Sequence, residues 1–95
     1  MGKMLDNDAG SSMKVRVFSQ KGVVWEGSGS SVSSVNSQGA FDVLPKHAHF
    51  ITLIDGEPIR VQLGQEEMVF EFSNAVMWVI DDTVTIYADI EEGKS

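Results

Sequence analysis

Two histidines, His47 and His49, are the side chains whose type and spacing could hold a metal ion. Strand residues two positions apart face the same side, and imidazole nitrogen is a common zinc ligand. A third ligand would have to be a carboxylate such as Asp42, Asp55 or Asp89, because the chain has no cysteine and no other histidine. A histidine pair without supporting ligands fits a turn residue followed by a surface strand residue better. We therefore predict no metal site and keep a metal-dependent β-barrel enzyme only as an alternative.

Two pairs of adjacent acids are the next candidates for chemistry. Glu66 precedes Glu67, and Asp81 precedes Asp82. Neighbouring residues on a strand point to opposite faces, so neither pair forms a coupled carboxylate dyad. The serines form no Gly-x-Ser-x-Gly nucleophile elbow, and no complete phosphate-binding loop is present. The sequence predicts neither a catalytic site nor a bound cofactor.

Composition limits the class of partner. The chain has 95 residues, enough for one domain, and a net charge of −7. Nucleic-acid binding needs a basic surface, so this charge argues against it, and it also disfavours direct docking on anionic lipid. No apolar run reaches the length of about 18 residues that a membrane helix needs. We therefore predict no nucleic-acid partner and no direct membrane insertion.

Apolar residues recur with the two-residue period of β-strands. Val15 and Val17 alternate with polar residues, residues 59–63 and 68–72 show the same alternation, and residues 76–80 form a continuous apolar run. Turn-forming residues separate these runs at 20–22, 55–58, 64–65 and 73–74. A helical period of about 3.6 residues persists nowhere for three turns. The pattern predicts an all-β sandwich of about eight or nine short strands around one core.

The ends and one internal stretch depart from this pattern. Residues 1–12 lack periodicity and are predicted to be a loose N-terminal arm. Residues 13–90 are predicted to form the sandwich domain, and residues 91–95 a polar tail. Residues 28–37 are rich in serine but lie between two convincing strands. Because a structureless loop of that length is unusual inside so small a domain, we predict an edge strand with a bulge there.

The two tryptophans are predicted to differ in exposure. Trp78 lies in a continuous apolar run and is assigned to the core, whereas Trp25 is expected to be exposed enough to contact a partner. If Trp25 and His49 together formed a platform, the chain could be a free-standing β-sandwich that binds a small ligand or carbohydrate. That alternative predicts a concave pocket lined by aromatic side chains.

Residues 39–48 read Gly-Ala-Phe-Asp-Val-Leu-Pro-Lys-His-Ala and are followed by an apolar strand. This stretch resembles the epsilon subunit of F-type ATP synthases, in which it commonly reads Gly-Glu-Leu/Phe-Gly-Ile/Val-Leu/Tyr-Pro-Gly-His-Ala-Pro. Residues 83–89, Thr-Val-Thr-Ile-Tyr-Ala-Asp, are similar to that family's Val-Thr-Val-Leu-Ala-Asp. Several such matches occur in the right order from residue 14 to about residue 90, which is the span of the family's N-terminal domain.

The resemblance implies a fold, a function and a set of contact residues. The fold would be a flattened β-sandwich of about ten short strands. The function would be that of a non-catalytic central-stalk subunit, which binds the gamma subunit and the c-ring and helps couple ion-driven rotation to ATP synthesis. It would lie at the cytoplasmic face of the membrane, held there by the synthase, with no cofactor and no small-molecule substrate. The edge facing the gamma subunit and c-ring would comprise Gln38, Ala40, Asp42, Pro45, Lys46 and His47.

The sequence departs from the family pattern at several positions. Ala40 stands where the family usually has an acid, and the nearest acid is Asp42. Lys46 replaces the glycine before the histidine, and His49 replaces the proline after His-Ala. The family also continues into a two-helix hairpin that restrains ATP hydrolysis, whereas this chain ends at Ser95. Inhibition and nucleotide binding are therefore not carried over.

Overall fold

A computed structural model describes residues 12–45 and 48–89, which form nine β-strands. The strands are β1 (Met13–Ser19), β2 (Gly22–Gly29), β3 (Ser31–Asn36), β4 (Gly39–Val43), β5 (Ala48–Asp55), β6 (Ile59–Leu63), β7 (Glu66–Phe70), β8 (Asn74–Asp81) and β9 (Thr83–Ala88). Most of the predicted arm and the whole predicted tail lie outside the described residues, so the domain limits stay predictions.

The nine strands form two sheets. One has five strands in the order β2-β1-β9-β8-β5, and the other has four in the order β4-β3-β6-β7. β1 and β9 run parallel, and the other neighbouring strands are antiparallel. These two sheets confirm the predicted all-β sandwich. A strand that alternates apolar and polar residues has one apolar face, and a second sheet is needed to cover it.

The core lies between the sheets and is built from alternate positions of the strands. On β1, Val15 and Val17 are fully buried while Lys14 is exposed, as the two-residue period requires. The core side chains are Met13, Val15, Val17, Val32, Val43, Ile54, Ile59, Val61, Ala75, Met77, Val79, Val84, Ile86 and Ala88. Fully burying one valine or isoleucine contributes roughly 1.5–3 kcal/mol, so this cluster holds the two sheets together.

The serine-rich stretch forms a strand, but the predicted edge position is wrong. β3 lies between β4 and β6, inside the four-stranded sheet. Ser34 faces the core, where its hydroxyl donates a hydrogen bond of 2.8 Å to the carbonyl oxygen of Pro58. A small side chain is tolerated in the interior when its hydroxyl is hydrogen-bonded. The serine content of this stretch did not indicate that one of its serines is buried. The irregular register lies elsewhere, between Val17 and Phe18 of β1.

The core position predicted for Trp78 is wrong, and Trp25 is less exposed than expected. Trp78 is 46% exposed, because Met77 and Val79 on either side of it face the core and Trp78 must face out. Trp25 is half-buried and packs against the core, with its ring centroid 5.9 Å from that of Phe70. An apolar run identifies a strand but not which of its faces is covered.

Candidate partner-binding surface

Four of the six contact residues predicted from the resemblance lie at or next to one edge of the four-stranded sheet. β4 is an edge strand within the described residues, and it carries Ala40 and Asp42. Gln38 lies in the turn before β4, and its backbone N–H donates a 2.9 Å hydrogen bond to Asn36 Oδ1. Pro45 follows β4 and is half-buried. The remaining two predicted residues, Lys46 and His47, lie outside the described residues.

Gln38, Ala40 and Asp42 have exposed side chains on this edge, and Asp42 is an acid. Ala40 lies opposite Val35, and Asp42 lies opposite Ser33, in the β3–β4 ladder. The Ser33 hydroxyl donates a short hydrogen bond to Asp42 Oδ1, which fixes the orientation of the carboxylate on the sheet surface. Among the described residues no strand pairs with the outer side of β4, so the edge presents a positioned acid beside an open strand edge, two features that a basic protein loop can contact.

The edge of β4 adjoins the edge of the other sheet. The rings of Phe41 on β4 and Phe50 on β5 meet edge to face, with centroids 6.3 Å apart. Asn36 Nδ2 donates a 2.9 Å hydrogen bond to Thr52 Oγ1 on β5. These contacts join the two sheets along one side of the sandwich, so β4 and β5 form one combined surface.

An apolar patch on the outer face of the five-stranded sheet was not predicted. Leu53 is 69% exposed and Ile51 is 60% exposed, and Trp78 lies directly opposite Ile51 across β5 and β8. Ile80 and Tyr87 extend the patch. The available signal was the continuous apolar run at residues 76–80 together with the run at 50–54, which is apolar except for Thr52. A strand with one face in water normally alternates apolar and polar residues.

A groove of about 760 Å³ runs beside β5 and reaches the β3–β4 turn. Apolar side chains, including Val35 and Leu53, line part of it, and the acids Asp55 and Glu57 also line it. Its lining contains no aromatic side chain. The groove therefore differs from the aromatic pocket that the ligand-binding alternative predicts.

The proposed Trp25–His49 platform is not formed. Trp25 is on β2 and His49 is on β5, and these strands lie at opposite edges of the five-stranded sheet. Trp25 is also packed against the core, whereas His49 is exposed. The ligand-binding alternative therefore loses the Trp25–His49 platform, although a smaller hollow of about 410 Å³ is lined in part by Trp78 and Tyr87.

The residues considered for a metal site have other contacts. His49 Nε2 lies 3.1 Å from Asp81 Oδ1, and both side chains are exposed. Asp89 Oδ1 accepts a 2.8 Å hydrogen bond from the backbone N–H of Ser73. Among residues 12–45 and 48–89, no three histidine or acidic side chains are grouped as metal ligands. In the same part of the chain, no helix is long and apolar enough to cross a membrane.

Residues 12–93 match the protein family described as "ATP synthase, Delta/Epsilon chain, beta-sandwich domain". The chain belongs to this family. Two curated relatives are both named ATP synthase epsilon chain. The one from Hydrogenovibrio crunogenus is 33% identical over 78 residues, covering 82% of this chain and 54% of the relative. The one from Acinetobacter baylyi is 36% identical over 80 residues, covering 82% and 57%. The chain thus spans a little more than half of these relatives.

Solved structures have the same fold as this Delta/Epsilon-family sandwich. A chain in the Euglena gracilis mitochondrial ATP synthase, in a structure of its OSCP, F1 and c-ring, gives a TM-score of 0.74 at 15% identity, covering 81% of this chain and 50% of that one. A chain in the central stalk and c-ring structure of the Tetrahymena thermophila mitochondrial enzyme gives 0.67 at 9% identity, covering 82% and 63%. At these identities the likeness concerns the fold, and it confirms the flattened sandwich implied by the resemblance.

Proposed function

We propose that this chain is the β-sandwich part of a non-catalytic, epsilon-type central-stalk subunit of an F-type ATP synthase. In this role it binds the gamma subunit and the c-ring and helps couple ion-driven rotation to ATP synthesis. The observation that carries the proposal is the family match over residues 12–93, supported by relatives named ATP synthase epsilon chain. The proposal is confined to the sandwich and includes no nucleotide binding.

A rigid sandwich suits an adaptor between rotating parts. Its core is a continuous cluster of buried aliphatic side chains, with no buried side-chain polar atom left unpaired in the described part of the chain. Protein interiors of this kind are close-packed and poorly compressible, so a force applied at one edge is transmitted to the other with little deformation. The two sheets are also linked at the proposed contact side by the Asn36–Thr52 hydrogen bond.

The proposed contact edge comprises Gln38, Ala40, Asp42, Pro45, Lys46 and His47. Asp42 is its positioned acid, and we assign it to a basic loop of the c-ring or gamma subunit, in place of the acid that the resemblance implies at the position of Ala40. Charge complementarity of this type acts on association rate and specificity more than on final affinity. Held through these contacts, the chain lies peripherally at the cytoplasmic face of the membrane.

Co-purification tests the proposal. The tagged chain is expressed with the gamma subunit and c-ring encoded by the same genome and isolated at low salt. We expect both partners to be retained by the wild-type chain and to be reduced by Asp42→Lys. Glu66→Lys makes the same charge change on β7, at the other edge of the four-stranded sheet, and is the matched control. Absence of both partners from the wild-type preparation would contradict the proposal.

A further inference from the structure

β5 has a free edge. It pairs with β8 on one side, and within residues 12–45 and 48–89 no strand pairs with it on the other. The strand is eight residues long and contains no proline. Long, apolar, unprotected edge strands are templates for pairing with another chain, because their backbone N–H and C=O groups remain available. The groove of about 760 Å³ beside this edge leaves it accessible.

The outward-facing side chains of β5 form a self-complementary series. They are His49, Ile51, Leu53 and Asp55, with two exposed aliphatic residues between a base and an acid. In an antiparallel pair, residues directly opposite each other interact most strongly, and opposite charges or apolar pairs there are favourable. When a second copy of the series runs in the opposite direction, the base lies opposite the acid and the two aliphatic residues lie opposite each other.

We infer that β5 pairs antiparallel with β5 of a second copy of the chain, about a two-fold axis at Thr52. In this register His49 lies opposite Asp55 of the second copy, and Ile51 lies opposite its Leu53. The symmetry repeats each contact, as an isologous interface requires. The two five-stranded sheets then form one continuous ten-stranded sheet. This property goes beyond the proposed function. Because Thr52 lies beside the proposed contact edge, the pairing is tested on the isolated chain, without the gamma subunit and the c-ring.

Other registers lose this complementarity. A shift of one residue would place side chains from opposite faces against each other, which the pleat forbids. A shift of two residues in one direction sets His49 opposite Leu53, and a shift of two in the other direction sets Ile51 opposite Asp55. In both cases a polar or charged side chain faces an aliphatic one. The register centred on Thr52 is therefore the favoured one.

Charge sets the conditions under which the pair forms. Each chain carries a net charge of −7, so two copies repel each other, and this repulsion is screened over about 8 Å at physiological ionic strength. His49, already 3.1 Å from Asp81 of its own chain, then lies between that carboxylate and Asp55 of the second copy. We expect association to strengthen as salt rises from low to physiological concentration.

Cysteine cross-linking tests the register, because the chain contains no cysteine. Opposite residues in an antiparallel pair have Cα atoms about 4.5–5.5 Å apart, within the range that a disulfide spans. Thr52→Cys places two sulfurs opposite each other, whereas Leu53→Cys faces position 51 of the second copy. We expect Thr52→Cys to form a covalent dimer at least tenfold faster under mild oxidation. Equal rates, or no dimer with Thr52→Cys, would overturn the inference.

Sedimentation equilibrium on the isolated chain tests the association itself. We expect a concentration-dependent monomer–dimer equilibrium that Ile51→Lys weakens at least tenfold. Val23→Lys is the matched control, because Val23 is also 60% exposed but lies on β2, at the opposite edge of the same sheet. A monomer at every concentration would overturn the inference. The candidate partner for the β5 edge would then be a strand of another protein. Equal effects of the two variants would also overturn it.

Discussion

Asn36 and Thr52 join the two sheets of the sandwich through a 2.9 Å hydrogen bond from Asn36 Nδ2 to Thr52 Oγ1. The same asparagine side chain accepts a hydrogen bond from the backbone N–H of Gln38. One residue therefore fixes both the turn that leads into β4 and the position of β4 beside β5. The proposed contact edge depends on this arrangement.

Removing the Asn36 side chain should loosen that side of the sandwich. Asn36→Ala loses two hydrogen bonds, each with a net contribution of roughly 0.5–1.5 kcal/mol, so we expect a loss of about 1–3 kcal/mol in unfolding free energy. Urea denaturation followed by circular dichroism measures it. Ser37→Ala, at the exposed neighbouring position, is the control and should change stability by less than about 0.5 kcal/mol. Equal stabilities of the two variants would contradict this role of Asn36.

The interior position of β3 predicts different effects for two adjacent serines. Ser34→Ala leaves the part-buried Pro58 carbonyl without this donor and removes a buried hydroxyl, and we expect a loss of about 1–3 kcal/mol. Ser33→Ala removes an exposed hydrogen bond to Asp42 and should cost less than about 1 kcal/mol. Thermal unfolding of the two variants compares them directly. The reverse order would mean that Ser33, not Ser34, faces the core.

Met77 and Trp78 test which face of β8 is buried. Met77→Ala creates a cavity in the core, and we expect it to cost about 2–5 kcal/mol. Trp78→Ala removes a larger side chain from a half-exposed surface, where less of its area is withdrawn from water, and should cost less. Urea denaturation measures both losses of unfolding free energy. The midpoints of the two variants are compared directly when their unfolding free energies depend equally on urea concentration. A larger loss for Trp78→Ala would contradict the assignment of faces.

Trp25 packs against Gly27 as well as against Phe70. A Cβ added at Gly27 would lie 2.5 Å from Trp25 Cζ2, so the ring must move away from its site. We expect Gly27→Ala to destabilise the protein by about 1–3 kcal/mol, the usual cost of overpacking, and to shift Trp25 emission to longer wavelength. Emission is measured in a Trp78→Phe background, with the exposed Ser28→Ala as control. An unchanged emission maximum would show that the ring had not been displaced.

The sequence predicted the strands but not their environments. Alternation on β1 and β6 located buried residues correctly, because each strand has one apolar face. The runs at residues 50–54 and 76–80, the second of which contains Trp78, place apolar residues on both faces of their strands. Periodicity therefore could not tell which face is covered. Ser34 was missed for the opposite reason, because its buried hydroxyl depends on Pro58, a contact distant in sequence.

The candidate site was predicted unevenly. The family resemblance predicted that Gln38, Ala40 and Asp42 lie on one edge. In the structure Ala40 and Asp42 are on the edge strand β4, and Gln38 is in the turn before it. Their role as partner contacts stays a prediction. The exposed patch around Ile51 and the groove beside β5 depend on which strands end up at the edges of the sheets, and strand order is not encoded in local periodicity.

Site-specific photo-cross-linking in the assembled synthase tests the central-stalk role most directly. Because the chain lacks cysteine, Gln38→Cys, Ala40→Cys and Asp42→Cys can each carry a single benzophenone label, with Glu66→Cys as the control on the far side. We expect the three edge positions to cross-link to the gamma subunit or the c-ring and the control position to give neither product. If no edge position cross-links to either partner, or if the control does so equally, the proposed contact edge is wrong.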